Sequence, residues 1–158
     1  SNCDCQKREI ASFVAELIRE DTVYIIGAGT TTKAIGDELS IDKTLLGIDV
    51  VKGRNLVRKD CSEKDIIGIL EKEKNAKIIV SPIGGQGFIF GRGNQQLSPH
   101  IIRAVGVDNI ILVATPDKLM STPVLHVDTG DIDLDEELNG EHLVVCGYQL
   151  AARKHVVS

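Results

Sequence analysis

Residues 22–39 read Thr22-Val23-Tyr24-Ile25-Ile26-Gly27-Ala28-Gly29-Thr30-Thr31-Thr32-Lys33-Ala34-Ile35-Gly36-Asp37-Glu38-Leu39. Thr22 to Ile26 is a β-branched and aromatic run with strand character. Gly27-Ala28-Gly29 stops it, and the three threonines are placed to cap a helix running to about Leu39. A strand, a glycine turn and a helix in immediate succession are the opening of an α/β unit.

The same pattern recurs on both sides. Upstream, Ile10, Phe13, Val14, Leu17 and Ile18 fall on one helical face, predicting an amphipathic helix over Lys7 to Glu20. Downstream, Thr44 to Val51 is apolar except at a few positions, Asp49 among them, and reads as a strand followed by a polar stretch through Asp60. Ser62 with Asp65 three residues later opens a helix through Glu73. Lys77 to Ser81 reads as a strand, Ser98-Pro99 as a helix start ending at Gly106, and Asn109 to Ala114 as another strand. Thr115-Pro116-Asp117 starts a short helix, and Val124 to Val127 and Leu143 to Cys146 are the last two strands, separated by an acidic loop. Helices alternating with nearly continuous apolar strands predict a three-layer, Rossmann-like α/β fold: a mostly parallel sheet with helices on both faces, in one domain over residues 1–158. In such sheets ligands collect beyond the carboxyl ends of the strands.

Composition narrows the partners. The 158 residues are 42% hydrophobic and 26% charged, the balance of a folded soluble domain. Eighteen Lys and Arg against 23 Asp and Glu give −5, with no basic run and only five Tyr and Phe, which argues against a nucleic-acid partner. No leader or membrane span is read, and a cytoplasmic setting is expected. Cys3, Cys5, Cys61 and Cys146 lack zinc-ligand spacing and are expected as free thiols.

Three segments carry candidate chemistry. Gly27, Gly29, Thr30, Thr31 and Thr32 combine a close-approach turn, a helix N-terminus and hydroxyl donors, a setting for phosphate. It is neither a Walker A loop nor a complete dinucleotide fingerprint, and a plain capped turn is the alternative. The second segment holds five glycines, Gly84, Gly85, Gly87, Gly91 and Gly93, with Gln86, Arg92, Asn94, Gln95 and Gln96. That density predicts backbone amides around an anion, Arg92 as its charged clamp and the amide side chains reading a polar ligand, against a long structural loop. The third is acidic: Asp128 and Asp131, together with Asp49 in its strand, are candidates for a ribose hydroxyl or Mg²⁺, while Asp133 to Glu137 reads as a solvated turn.

The string Pro82-Ile83-Gly84-Gly85-Gln86-Gly87-Phe88-Ile89-Phe90-Gly91-Arg92-Gly93-Asn94-Gln95-Gln96-Leu97-Ser98-Pro99 resembles the C-terminal region of ATP-NAD kinases of the acetoin-catabolism type. Gly27-Ala28-Gly29-Thr30-Thr31, Leu45-Leu46-Gly47-Ile48-Asp49-Val50-Val51 and Val127-Asp128-Thr129-Gly130-Asp131 extend the resemblance over most of the chain. It implies a longer protein that phosphorylates NAD at the ribose 2′-hydroxyl with ATP and Mg²⁺. It also implies that this chain is the C-terminal domain, partnered by its own N-terminal kinase domain and expected as a homo-oligomer. The absence of an initiator Met before Ser1-Asn2 agrees with that expectation. NAD kinases carry a Gly-Gly-Asp-Gly motif in the N-terminal domain, whose Asp is held to be the catalytic base. Gly84-Gly85-Gln86-Gly87 has Gln there, which cannot accept a hydroxyl proton, so the chain alone is not expected to be a competent kinase. The opening helix, strand and Gly-x-Gly-Thr-Thr turn are also similar to the start of ribose-5-phosphate isomerase and the glucosamine-6-phosphate deaminases. That likeness makes a phosphosugar-binding or isomerase-like module the rival function, with a regulatory or oligomerisation domain as a third.

Overall fold

The computed structural model describes residues 2–158; Ser1 lies outside the described residues. A first helix, α1 (Asn2–Leu17), leads into β1 (Val23–Ile26), α2 (Thr30–Glu38), and the strands β2 (Asp49–Lys52) and β3 (Asn55–Arg58). Then come α3 (Glu63–Leu70), β4 (Ala76–Val80), β5 (Phe88–Phe90), α4 (Pro99–Val105), a 3₁₀ turn, β6 (Ile110–Val113) and α5 (Pro116–Ser121). The chain closes with β7 (Leu125–Val127), α6 (Ile132–Leu138), β8 (Gly140–Gly147) and β9 (Leu150–Val157).

All nine strands form one sheet in the order β3-β2-β1-β4-β6-β8-β9-β7-β5. The centre, β1-β4-β6-β8, is parallel, as are β9-β7 and β7-β5. The hairpins β2-β3 and β8-β9 and the β1-β2 pair are antiparallel, so the sheet is mostly but not wholly parallel. One face carries α1 and α2, whose Ile10, Val14, Ile35 and Leu39 pack on Tyr24, Ile26, Ile79 and Val113. The other face buries a larger cluster, including Ile66 of α3, Ile101 and Ile102 of α4 and Leu134 and Leu138 of α6. Two faces, each sealed by helices against the central strands, make the three-layer α/β arrangement the sequence predicts.

Several boundaries differ for identifiable reasons. The Thr44 to Val51 run is extended only from Asp49, because the chain before it curls around a buried ammonium. Lys43 Nζ donates to the carbonyls of Thr44 (2.8 Å) and Gly47 (2.9 Å) and lies 2.6 Å from Asp49 Oδ2. The polar stretch after it contains β3, an exposed edge strand. The acidic segment is helix α6 rather than a solvated turn. Asp131 caps it by accepting the Leu134 N–H (3.1 Å), Asp133 and Asp135 sit in the first turn, and Leu134 and Leu138 reach the core at i, i+4 spacing. The first helix begins at Asn2 and ends at Leu17, which places Cys3 and Cys5 on α1. Three strands, β3, β5 and β9, fall outside the sequence reading. In contrast, the Ser62 capping box and the Ser98 and Thr115 caps, each of these two followed by Pro, form as expected.

Candidate functional site

Strands β1, β4 and β6 run parallel and side by side, so the segments after Ile26, Val80 and Val113 emerge together at one edge of the sheet. The Gly27 amide donates to the Ile79 carbonyl (2.8 Å), and a Cβ on Gly27 would lie 3.0 Å from Val80 Cγ1. The first turn is therefore packed directly against β4. Gly29, with φ of +121°, turns the chain into α2 and hands its own N–H to the Leu45 carbonyl (2.8 Å). No side chain caps this helix. The N–H groups of its first turn, which an α-helix cannot pair internally, therefore point out of its end.

Thr32 is not among the donors facing outward. It is fully buried, and its hydroxyl donates to the Gly27 carbonyl (2.7 Å) with that of Gly29 at 3.1 Å. This corrects the expectation of a ligand contact there: Thr32 locks the turn. Thr30 and Thr31 remain at the open end.

The glycine-rich segment is a hairpin followed by a loop. Ile83 and Phe88 exchange backbone hydrogen bonds (2.8 and 3.0 Å), and the Gly87 N–H reaches the Gly84 carbonyl (3.2 Å), leaving Gly85 and Gln86 exposed at the tip. Gly91 has φ of +99°, and any Cβ there would strike the Asp128 backbone carbonyl, so this glycine serves chain packing. Asn94 is completely buried. Its Oδ1 accepts the Ala28 N–H (3.2 Å) and its Nδ2 donates to the Ile89 carbonyl (3.3 Å). That overturns the expectation that Asn94 reads a ligand, because its polar atoms fasten one glycine segment to the other. Arg92 is exposed, its guanidinium 4.7 Å from the centroid of the Phe88 ring, a cation–π contact. The Phe88 ring also lies against His126, whose Nδ1 is 2.6 Å from the Gln86 carbonyl. Gln95 is exposed and Gln96 half-buried; neither side chain is committed to a hydrogen bond among the described residues. A hollow of about 310 Å³ is bounded by Ile83, Gly84, Gly85, Gln86, Phe88, Arg92 and Gly93.

The three carboxylates do not converge. Asp49 is fully buried: Oδ1 accepts the Asp60 N–H (2.8 Å), and Oδ2 accepts from Thr44 N (3.1 Å), Thr44 Oγ1 (2.8 Å) and Lys43. It is a structural aspartate and no candidate for ribose or Mg²⁺. Burial pushes the Lys43 ammonium below its ordinary value, opposed by the Asp49 carboxylate. Asp131 is held below the usual carboxylate range by the Leu134 N–H and then by Arg103, which also pairs with Glu137 (3.0 Å). Its oxygens are thus spent on a helix cap and an ion pair. Asp128 is exposed beside Gly91, with its N–H on the Phe90 carbonyl (3.2 Å). Among the described residues no group of three or more His, Cys, Asp or Glu stands close enough to hold a metal ion, so the chain offers Mg²⁺ no ready-made cage.

A cleft of about 340 Å³ opens where the three parallel strands end. Gly29, Thr30 and Thr31 form one wall, Ser81 and Pro82 the floor after β4, and Thr115, Asp117 and Lys118 of the β6–α5 junction the opposite wall. Cys3 and Lys7 of α1 close it. Lys118 Nζ donates to the Gly84 carbonyl (2.6 Å), tying the cleft to the glycine hairpin. Sequence reasoning missed Lys7, Ser81 and Lys118. The last two carried a signal in retrospect: each follows the end of a parallel strand.

The four cysteines are free, and burial pushes the Cys61 thiol up to about 11. No described helix is long and apolar enough to cross a membrane. No match was found among curated proteins or solved structures. A family model, the ATP-NAD kinase C-terminal domain, matches residues 19–155. With that match spanning β1 through most of β9, and so both glycine segments and the ends of the three parallel strands, the chain belongs to the ATP-NAD kinase C-terminal domain family.

Proposed function

We propose that this chain is the nucleotide-binding C-terminal part of a longer NAD kinase-like protein of the acetoin-catabolism type, which transfers a phosphoryl group from ATP to the 2′-hydroxyl of NAD to give NADP. The observation that carries the reading is the Asn94 bridge. By bonding Ala28 on one side and Ile89 on the other, it sets both glycine segments at the one edge where a ligand of a parallel sheet is expected. Thr30, Thr31 and the open end of α2 then face phosphate, with Gly27 and Gly29 allowing close approach. Arg92, Gln86, Gln95 and Gln96, the polar side chains around the hairpin, face the remainder of the nucleotide, and Asp128 is the carboxylate left for a ribose hydroxyl.

The transfer itself needs a base for the attacking hydroxyl, and Gln86 at the hairpin tip is no base. That role falls to the protein's own N-terminal kinase domain, with Mg²⁺ arriving on the ATP phosphates, where it would neutralise charge during transfer. The chain alone binds and does not catalyse. Four free thiols suit a reducing, cytoplasmic setting, and assembly as a homo-oligomer is part of the same proposal.

Calorimetric titration of the chain with NAD, ATP and ribose 5-phosphate tests the reading. Binding of NAD or ATP that weakens in Arg92→Ala is the expected result. Heat from ribose 5-phosphate alone would transfer the site to the phosphosugar-binding reading.

A further inference from the structure

We infer that the cleft between α1, α2 and α5 binds a terminal, dianionic phosphate group such as the one that ends a nucleoside phosphate, held by Thr31, Ser81, Lys7, Lys118 and the first-turn N–H groups of α2. The inference rests on the nucleotide-binding reading and specifies which group of the ligand enters, and through which residues.

Two hydroxyls carry it. Thr31 and Ser81 are each only 7% exposed, both line the cleft, and neither hydroxyl has a hydrogen-bond partner among the described residues. Buried polar side chains are almost always partnered, so two unmatched hydroxyls facing one hollow mark a place prepared for an external acceptor. Neither oxygen is fully enclosed, since no fully enclosed side-chain oxygen is left unpaired among the described residues, and the cleft is the hollow that both residues line. The two come from different elements, α2 and the segment after β4, so their convergence is not a property of a helix end alone.

Charge points the same way. The Lys7 ammonium on α1 has no ion pair or hydrogen bond among the described residues. Lys118 spends one N–H on the Gly84 carbonyl and keeps two. The opposing charge is Asp117, held by Gln6 through a 3.4 Å side-chain bond. Among the residues that line the cleft, two ammonium groups and the positive end of a nine-residue helix stand against one carboxylate, which favours a dianionic terminal phosphate over the singly charged phosphates of a dinucleotide bridge. A volume of about 340 Å³ takes a phosphate with its adjoining sugar. Lys7 lies upstream of the matched residues 19–155, so family membership does not assign it.

The test is an amide-resolved NMR titration of the chain with AMP, ribose 5-phosphate, NAD, inorganic phosphate and sulfate, repeated on Lys7→Met, Thr31→Val and Ser81→Ala. The expected result is saturable shifts at Thr30, Thr31 and Ser81 with AMP, stronger than with NAD. Affinity should fall roughly tenfold or more in Lys7→Met and severalfold in each hydroxyl variant, with melting points unchanged. Equal binding of AMP and ribose 5-phosphate supports the cleft and overturns the nucleotide reading alone. Affinity untouched by all three variants, equal binding of sulfate, or no saturable shift with any probe overturns the cleft assignment. An Arg92→Ala loss of NAD or ATP binding would still leave the nucleotide reading in place.

Discussion

Replacing Asn94 separates a structural from a ligand-reading role. Truncation to Ala removes the acceptor of the Ala28 N–H and the donor to the Ile89 carbonyl, in residues that are 5% and 2% exposed. Water cannot readily replace either partner. Each stranded buried group costs about 1–3 kcal/mol, so Asn94→Ala should lose about 2–6 kcal/mol, a large part of the roughly 5–15 kcal/mol that stabilises a domain. With a urea slope of about 2 kcal/mol/M, the unfolding midpoint should drop by about 1 M or more. The Ala28 amide, otherwise protected, should exchange much faster.

Asn94→Asp sharpens the test. At neutral pH the carboxylate can still accept from Ala28 but faces the Ile89 carbonyl with a lone pair instead of a donor. Its buried folded-state pKa should be raised above the unfolded value near 4. The variant should regain stability relative to the wild type as pH falls through that raised value, because a protonated carboxyl donates again. A midpoint shift below about 0.5 M for Asn94→Ala, with lost nucleotide affinity, would refute the structural role and restore Asn94 as a ligand group.

Other sites give independent checks. Lys43→Met strips the countercharge from fully buried Asp49 and should cost about 3–5 kcal/mol in urea unfolding; a loss under about 1 kcal/mol would show that the three N–H and hydroxyl donors to Asp49 suffice. Asp131 has its carboxyl lowered by the Leu134 N–H and Arg103, so its contribution is present above about pH 4 and lost as pH falls through the lower folded value. Acid unfolding of Asp131→Asn should therefore be less steep there than that of the wild type, and identical profiles would contradict a contribution from its charge, since Asn also caps a helix. With its thiol raised to about 11 and buried, Cys61 should resist a thiol reagent at pH 8 until urea unfolds the chain, whereas exposed Cys5 reacts at once. Equal rates for both would place Cys61 at the surface.

What could be read from the chain alone was whatever is encoded locally. The β1 turn and α2, the Ser62 capping box, and the Ser98-Pro99 and Thr115-Pro116 starts all depend on residues within one helical turn of each other. Strand β9 was not legible, because Leu150-Ala151-Ala152-Arg153-Lys154-His155-Val156-Val157 shows no clear alternation and becomes a strand by pairing with β8 along its length. Asp49 stood out as a carboxylate in an apolar strand, and its partner Lys43, six residues upstream, carried no local signal of burial. The same limit shaped the site. Asn94 resembled a ligand reader because its partner lies 66 residues away, and Gly91 resembled part of an anion nest because the Asp128 carbonyl that excludes a side chain there is also distant. Glycine and amide density therefore overstated how much of the hairpin faces a ligand. The informative quantity is which polar groups remain unpaired once the fold has taken its share. By that accounting, function shifts from the conspicuous glycines toward Thr31, Ser81, Lys7 and Lys118, four residues that no local motif groups together.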